Sequence, residues 1–321
     1  METKTHSPLP VLRIGEIPPE EVPRRWMIEG LWGAAAVGII GGAPKSCKSW
    51  LGLDMAVSVA TGTPCLGTYR IEEPGPALIY LAEDALATVR ERVEGIARWR
   101  GLKLEGLDLH AITAPSLRLD SPQDRQRLFE TARRLRPRLL LLDPLVRLHR
   151  ADENNATEMA QLLSYFRDLQ RRLDLAVVLI HHTRKYVPAG SQAGLGLRGS
   201  SDLHAFGDSN LYLRRLREAL LLSMEHRAAA APQPVALELV TRDSATIHLE
   251  VTPRAPAEKS EEKLGLEEAV LRVLAEASLL TRSNLRLRLA VNNERLGQVL
   301  SRLEKEGKVE HGPGGWRRTG S

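Results

Sequence analysis

The stretch Gly41-Gly42-Ala43-Pro44-Lys45-Ser46-Cys47-Lys48-Ser49 decides how this chain is read. An apolar, β-like run over 34–40 leads into it, and a helix-like run over 50–60 leads out. Strand, small-residue loop, Lys-Ser and helix form the context in which a backbone loop cradles phosphates. The cause is local. The loop and the first helical turn leave N–H groups without carbonyl partners, and these collect an anion. Gly42, Ala43, Pro44, Lys45, Ser46 and Cys47 would wrap the phosphates. Lys48 would reach the β and γ groups, and Ser49 would ligate Mg²⁺. One position departs from the pattern, which asks for Gly before the Lys. Cys47 stands there, and Gly takes backbone angles that Cys takes only at a cost. Cys47 also lies beside Lys48 at a helix N-terminus, a setting that lowers a thiol pKa. Alkylation of Cys47 is therefore expected to block nucleotide binding; the bland alternative is a buried, inert Cys in an ordinary strand–turn–helix.

Composition sets the frame around this loop. A chain of 321 residues holds one large domain and a small one. With 43% hydrophobic and 26% charged residues it is expected to be a soluble, globular protein, and 4% aromatics leave the core to Leu, Val, Ile and Ala. No apolar run approaches the roughly 20 residues of a membrane helix, so no membrane partner is expected. Residues 1–22 read as a loose leader broken by Pro8, Pro10, Pro18 and Pro19, without a signal-peptide pattern. Cys47 and Cys65 cannot make a disulfide framework, which points to a reducing cytoplasm. A net charge of +5 permits nucleic-acid contact without requiring it.

Beyond the loop, apolar strands alternate with helices. Strands are expected over 76–82, 107–113, 138–142 and 175–180, with helices over 85–100, 124–135 and 154–173. Strands that are apolar throughout indicate a parallel sheet covered on both faces. A polar, Gly- and Ser-rich loop follows over 183–202. Four short strands over 210–216, 219–224, 235–240 and 246–251 suit an antiparallel extension of that sheet. Before the first strand, Trp26 and Trp32 serve either to flank a base or, more simply, to pack the core.

In parallel α/β sheets ligands sit beyond the carboxyl ends of the strands. Besides the phosphate loop, three strand ends carry polar groups: Glu83-Asp84, Asp143 and His181-His182. An acidic residue closing an apolar strand supplies the carboxylate that Mg²⁺ needs, and Asp143 fits; a turn cap before Pro144 is the structural alternative. Hydrolysis also needs a group to activate water. Glu83 is the candidate, on a strand expected to adjoin the loop strand, with Asp84 as its fallback. A carboxylate merely capping the next helix is the other use of Glu83. His182 or His181 would read the γ-phosphate; a purely structural His is the competing use. Arg184, Lys185 and Tyr186, followed by a Gly-rich run, suit a DNA backbone and a stacked base, or else a plain surface loop.

Taken together, GGAPKSCKSW, YLAED, LLLLDPL, VVLIHHTRK and GLRGSSD resemble, in order and spacing over 26–251, the RecA-like ATPases. Within them the chain is most similar to the RepA-type hexameric plasmid helicases. The resemblance implies that Lys48 and Ser49 bind ATP–Mg²⁺, that Asp143 is the Walker B carboxylate, that Glu83 activates water and that His182 senses phosphate. It implies a homo-oligomer, a hexameric ring with nucleotide between subunits, an arginine finger from a neighbour and single-stranded DNA in the channel. The finger is not evident, because Gly207-Asp208-Ser209 stands where the plasmid helicases would place it. Arg215 is the choice among Arg198, Arg214 and Arg215. Arg198 otherwise serves as a loop contact to DNA, and Arg214 or Arg215 as a solvent-facing strand residue.

A Pro-, Ala- and charge-rich linker over 254–263 precedes a small module resembling a winged helix-turn-helix, over 264–318. Helices are expected over 264–277, 281–289 (with Thr281 as N-cap) and 292–306, and a hairpin over 308–318. The third helix would present Asn292, Asn293, Arg295, Gln298 and Arg302 to duplex DNA, and the hairpin Trp316, Arg317 and Arg318. Glu294, Glu304 and Glu306 nearly balance the charge of that helix, which keeps protein contact open. The expected fold is thus a RecA-like α/β core, 23–253, plus a winged-helix module. The expected function is an ATP-driven, ring-forming DNA motor or remodeller of a mobile element. An ATP-switched regulator that binds duplex DNA without unwinding it is the second reading. A metabolic P-loop kinase is a third, and it leaves the His-His-Thr-Arg-Lys loop and the tail without roles.

Overall fold

A computed structural model describes residues 11–18, 26–153, 155–182, 201–216, 219–252, 266–276, 279–289, 291 and 293–319. The chain divides into two compact units, Met1–Pro256 and Ala257–Ser321. The expected linker over 254–263 lies outside the described residues.

In the first unit a small ribbon, β1 (Trp26–Ile28) and β2 (Trp32–Gly33), precedes the loop strand β3 (Val37–Gly42) and helix α1 (Lys48–Thr61). Then come β4 (Ala77–Leu81), α2 (Leu86–Trp99), β5 (Leu109–Ala111), α3 (Pro122–Leu135) and β6 (Leu139–Asp143). Next are α4 (Ala156–Leu173), β7 (Ala176–His182), α5 (Ser201–Phe206) and β8 (Ser209–Leu216). The last strands are β9 (Ala219–His226), β10 (Val235–Asp243) and β11 (Thr246–Val251). One nine-stranded sheet runs β11-β10-β9-β8-β3-β7-β6-β4-β5.

Strands β5, β4, β6, β7, β3 and β8 are mutually parallel, and beyond them the pairings β8–β9, β9–β10 and β10–β11 are antiparallel. The first of the four late strands therefore corrects the expectation of an antiparallel extension. The long connection from His182 to Ser209 provides the crossover that a parallel pairing needs. The apolar strands are explained by two cores, one on each face. Ile40, Leu141, Ile180 and Leu211 face α1 and α2, where Leu51, Met55, Val93 and Ile96 pack on them. Ile39, Leu140, Leu142 and Leu179 face α3 and α4, against Leu128, Met159, Phe166 and Leu169. With both faces buried, every position of a central strand is apolar.

Close approach fixes β8 against β3. A Cβ on Gly38 would stand 1.7 Å from the Ser209 carbonyl oxygen, so only Gly fits there. Asn210 Oδ1 accepts the Ile39 N–H at 3.1 Å. Both early tryptophans are used for packing: Trp32 is fully buried and Trp26 meets His226 edge-on at 4.8 Å. Helix α1 is pinned by a buried pair, Arg100 Nη2 2.7 Å from Asp54 Oδ1, which also accepts the Leu66 N–H.

The second unit holds α6 (Leu266–Glu276), α7 (Arg282–Leu289), α8 (Asn293–Lys305) and the hairpin β12 (Val309–Gly312) with β13 (Gly315–Arg318). Val270, Leu274, Leu285, Leu296, Leu300 and Leu303 form its core at the three- and four-residue spacing of helices. Leu280 pairs through both backbone groups with Trp316, tying the hairpin to the start of α7. Thr281 Oγ1 accepts the Asn284 N–H at 3.2 Å, the N-cap expected of it.

Candidate active site

The carboxyl ends of β3, β7, β6 and β4 stand side by side, and the phosphate loop folds over them. In register, Gly42 on β3 meets His182 on β7, and Leu81 on β4 meets Asp143 on β6. A cleft of about 320 Å³ there is lined by Lys45, Ser46, Cys47, Lys48 and Ser49 with Glu83, Asp143 and His182. Asp84, Trp50, Arg92 and Pro144 complete it. The structure thus gathers residues from four separate stretches of sequence. One expectation about how they meet is corrected. The strand that ends in Glu83 does not adjoin the loop strand; β7 and β6 lie between them. Glu83 reaches the cleft because residues 82–84 extend past the end of β4.

The loop is built to hold an anion. Lys45 and Cys47 have left-handed backbone angles, φ +64° and +62°. Among the described residues, the N–H groups of Lys45, Ser46 and Cys47 have no hydrogen-bond acceptor. Such a run of unpaired N–H groups is an anion nest. Ser46 Oγ is buried without a partner among the described residues. A Cβ on Gly42 would meet it at 2.5 Å and the Leu213 carbonyl oxygen at 2.7 Å, so Gly is required to close the loop. Lys48 Nζ donates to the Ala43 carbonyl at 2.9 Å, which folds the ammonium back over the loop. Burial pushes the Lys48 pKa down, and Asp143 opposes that most. These donors fit a phosphate group.

Asp143 fits the cation that would accompany it. Its carboxyl is 7% exposed and its pKa is pushed up to about 6. Burial is the main cause, and the charges of Asp84 and Glu83 add to it. A hydrogen bond from Ser49 and the charge of Lys48 act the other way. A buried carboxylate bonded to the Ser49 hydroxyl is what a divalent cation would stabilise, while among the described residues no three His, Cys, Asp or Glu side chains stand close enough together to hold one by themselves. Glu83 and Asp84 themselves differ. Glu83 is half exposed, and Arg147 Nε donates to its Oε1 at 2.7 Å. Asp84 is gripped by both terminal nitrogens of Arg92, at 2.7 and 3.2 Å.

Strand alternation separates the two histidines. His182 lies on the same face of β7 as Ile180, towards α1, and it lines the cleft. His181 points the other way and is buried, with Nδ1 3.7 Å from Glu153 Oε1. Arg215, at the end of β8, lies against its own phosphate loop, with Nη2 3.7 Å from Cys47 Sγ. That contact does not lower the thiol pKa overall. Burial pushes Cys47 up, outweighing Arg215 and Lys48. Of the two readings of Cys47, the inert thiol is thereby favoured over the activated one, because burial desolvates the sulfur.

Arg184, Lys185, Tyr186 and Arg198 lie outside the described residues, as does the side chain of Arg295. In the second unit Asn293 is exposed, and its carbonyl accepts from Arg282 Nη2 at 2.7 Å. Arg302 pairs with Glu267 and Glu306, and Arg317 with Glu310, so these cations are engaged within the unit. Sequence reading missed Trp50, Arg92 and Arg147 as site residues. Trp50 closes the phosphate-loop motif and Arg92 lies on a plain helical stretch, and the fold brings both to the cleft; Arg147, on a short turn, reaches Glu83 beside it.

No helix among the described residues is long and apolar enough to cross a membrane. Among solved structures, the chain is similar to the RadB recombinase, with 15% sequence identity and a TM-score of 0.48. That similarity covers 68% of this chain and 91% of the other. A family model described as an AAA domain matches residues 3–186, more than half of the chain. With phosphate-loop donors, a buried strand-end carboxylate and a second strand-end carboxylate around one cleft, the chain belongs to the AAA domain family.

Proposed function

We propose that this protein is an ATP-hydrolysing, ring-forming DNA motor, a RepA-like helicase or DNA remodeller working in the cytoplasm. Its family makes it a P-loop NTPase. The observation that carries the proposal further is the meeting of Lys48, Ser49, Asp143, Glu83 and His182 on one cleft. ATP–Mg²⁺ supplies the γ-phosphoryl group for transfer to water. Lys48 would neutralise the β and γ charges, and Ser49 and Asp143 would hold Mg²⁺, which would supply further charge neutralisation at the phosphates. Glu83 takes the proton of the attacking water, and Arg147 holds its carboxylate in place beforehand. His182 stands at the γ end and leads directly into Arg184, Lys185 and Tyr186. A change in phosphate occupancy would thereby reach a loop suited to DNA. The active form is a homo-oligomer, a hexamer, with an arginine from the neighbour completing the site. Arg215, beside its own loop, and Arg198 and Arg214 are the candidates for that finger.

The second reading is an ATP-switched regulator. It is favoured by the three-helix and hairpin arrangement of the second unit, read as a winged helix with α8 as recognition helix and β12–β13 as wing. Asn293, Arg295 and Arg317 would then face duplex DNA. Helix α7 adds exposed Arg286 and Arg288, which no carboxylate engages among the described residues. ATP turnover with single- and double-stranded DNA, together with strand displacement, separates the two. Single-strand-stimulated turnover with displacement supports the motor. Binding of a defined duplex without unwinding supports the regulator. Lys48→Ala should abolish turnover in either case, and unchanged turnover would sink the site assignment.

A further inference from the structure

Helices α3 and α4 lie side by side on one face of the sheet. The Tyr165 hydroxyl donates to the Arg125 carbonyl at 2.9 Å, and the Arg172 guanidinium carbon stands 4.1 Å from the centre of the Phe129 ring. Their C-terminal ends are rich in cations. α3 closes on Arg133, Arg134 and the capping Arg136, and α4 on Arg171 and Arg172. All five side chains are exposed. Glu130 pairs with Arg133 at 2.7 Å. α4 carries Asp168 one turn earlier and Asp174 at its cap, yet among the described residues no carboxylate forms an ion pair with Arg134, Arg136, Arg171 or Arg172. We propose that this arginine cluster is a contact surface for the phosphate backbone of duplex DNA.

The cluster is remote from the cleft. Arg136 and Arg172 precede β6 and β7, whereas the cleft lies past the carboxyl ends of those strands. The seven residues of β7 alone separate its two ends by about 20 Å. Helix dipoles explain part of the pattern. A cation in the last turn of a helix is stabilised by the partial negative charge there, and Arg133, Arg134, Arg171 and Arg172 all qualify. Arg136 does not. It stands past the end of α3 at φ +51°, a backbone setting that Gly fills at no steric cost. An Arg kept there, with no carboxylate partner among the described residues, points to a ligand outside the chain.

Three features name that ligand. Every cation of the cluster is Arg, whose forked guanidinium matches phosphate oxygens. Among the described residues, none of the exposed large apolar side chains lies on α3 or α4, so an acidic protein would find no apolar anchor. The aromatic ring in the cluster, Phe129, is covered by Arg172, so the bases of a single strand would find no platform to stack on. A rigid row of cations on two packed helices suits the regular backbone of a duplex. Such contacts fix position and read no base sequence.

Fluorescence anisotropy of the full chain on labelled DNA, without nucleotide and across a salt series, provides the test. Arg134→Glu/Arg171→Glu should weaken duplex binding about 10- to 100-fold at moderate salt, and the slope of log affinity against log salt should become shallower by about 2, one for each lost phosphate contact. Two unrelated duplexes should lose equally. Single-strand affinity should stay within about threefold, because it depends on stacking elsewhere. DNA-free ATP turnover should not change, since neither residue lines the cleft. Arg134→Gln/Arg171→Gln should give the same change of slope with a smaller loss of affinity, and it carries the test if the double reversal does not fold. Lys103→Glu/Arg242→Glu reverses two exposed cations on other elements and should leave duplex binding near wild type. Unchanged duplex affinity and slope in both arginine variants would overturn the proposal. So would an equal loss in the Lys103 and Arg242 variant, which would reduce the effect to net charge. A loss confined to single strands or to one duplex sequence, or a wild-type chain that binds no duplex, would overturn it as well. The cluster stands or falls apart from the motor reading, because no nucleotide enters the binding measurement.

Discussion

His182 on β7 lies in register with Gly42 on β3, so a titratable ring at the end of one strand stands beside the first residue of the phosphate loop on the next. The same strand places His181 on the opposite face, buried near Glu153. One ring therefore lines the cleft, and the other is built into the core behind it.

This division predicts different phenotypes. His182→Ala should leave Mg–ATP affinity within about threefold of wild type while abolishing the stimulation of turnover by single-stranded DNA. Roughly threefold corresponds to losing one hydrogen bond at the γ end, at the low end of what such a contact contributes. His181→Ala should instead lower thermal stability, because it removes a buried, partnered side chain. Persistent DNA stimulation in a folded His182→Ala protein would remove the sensor role.

The two carboxylates after β4, Glu83 the candidate base and Asp84 its fallback in sequence, are held differently in the structure. Asp84 is clamped by Arg92, whereas among the described residues the half-exposed Glu83 meets the exposed Arg147. Glu83→Gln should bind ATP and turn it over about a hundredfold or more slowly, the usual scale of general-base effects. Asp84→Asn should keep most turnover and raise KM, through a loosened Arg92. The reverse pattern in steady-state kinetics would move the base to Asp84.

How much of this was legible beforehand follows from where each signal lies. Runs such as 138–142 announce a parallel sheet because both faces of each strand are buried, and the polar residue that ends each run marks the edge where ligands sit. Strand order is not written locally. Nothing in the residues around Glu83 tells that β6 and β7 separate its strand from β3. The parallel course of β8 depends on a crossover whose path the sequence does not reveal. Arg92 escaped because it sits on an ordinary helical stretch, and Trp50, though it closes the phosphate-loop motif, meets Arg92 only through packing, 5.7 Å from ring centre to guanidinium carbon. The two readings of the Cys47 thiol could not be separated for a related reason: a helix N-terminus is visible in sequence, and the burial that outweighs it is not.

Cys47 accordingly should react slowly. Its thiol pKa is raised, so the thiolate fraction at neutral pH falls below that of an exposed Cys. Iodoacetamide labelling followed by peptide mass analysis should show little modification in the folded chain and full modification in denaturant. Cys47 also holds φ +62°, where a side chain costs about 1–2 kcal/mol. Cys47→Gly relieves that strain against an entropic cost of about 0.5–1 kcal/mol. It should leave stability unchanged or slightly raised, with ATP binding intact. Rapid labelling of native protein, or a clear loss of stability in Cys47→Gly, would contradict this account of the loop.

Asp143 ties the fold to the chemistry through pH. Its pKa in the folded chain is raised, mainly by burial, from 3.8 to about 6. Between those values the native state binds the proton more tightly than the unfolded state, so ionising Asp143 costs stability as pH rises. The penalty is absent below about pH 4, grows through the interval and is complete above about pH 6, where it amounts to roughly 1–3 kcal/mol. In EDTA, Asp143→Asn should therefore be more stable than wild type at pH 7.5, and the difference should vanish near pH 4. Urea unfolding across that range measures it. Magnesium should reverse the order at neutral pH, because a cation bound by wild type adds stability that the amide cannot gain. Equal stability of the two proteins in EDTA at pH 7.5 would show that the buried carboxylate carries no such strain.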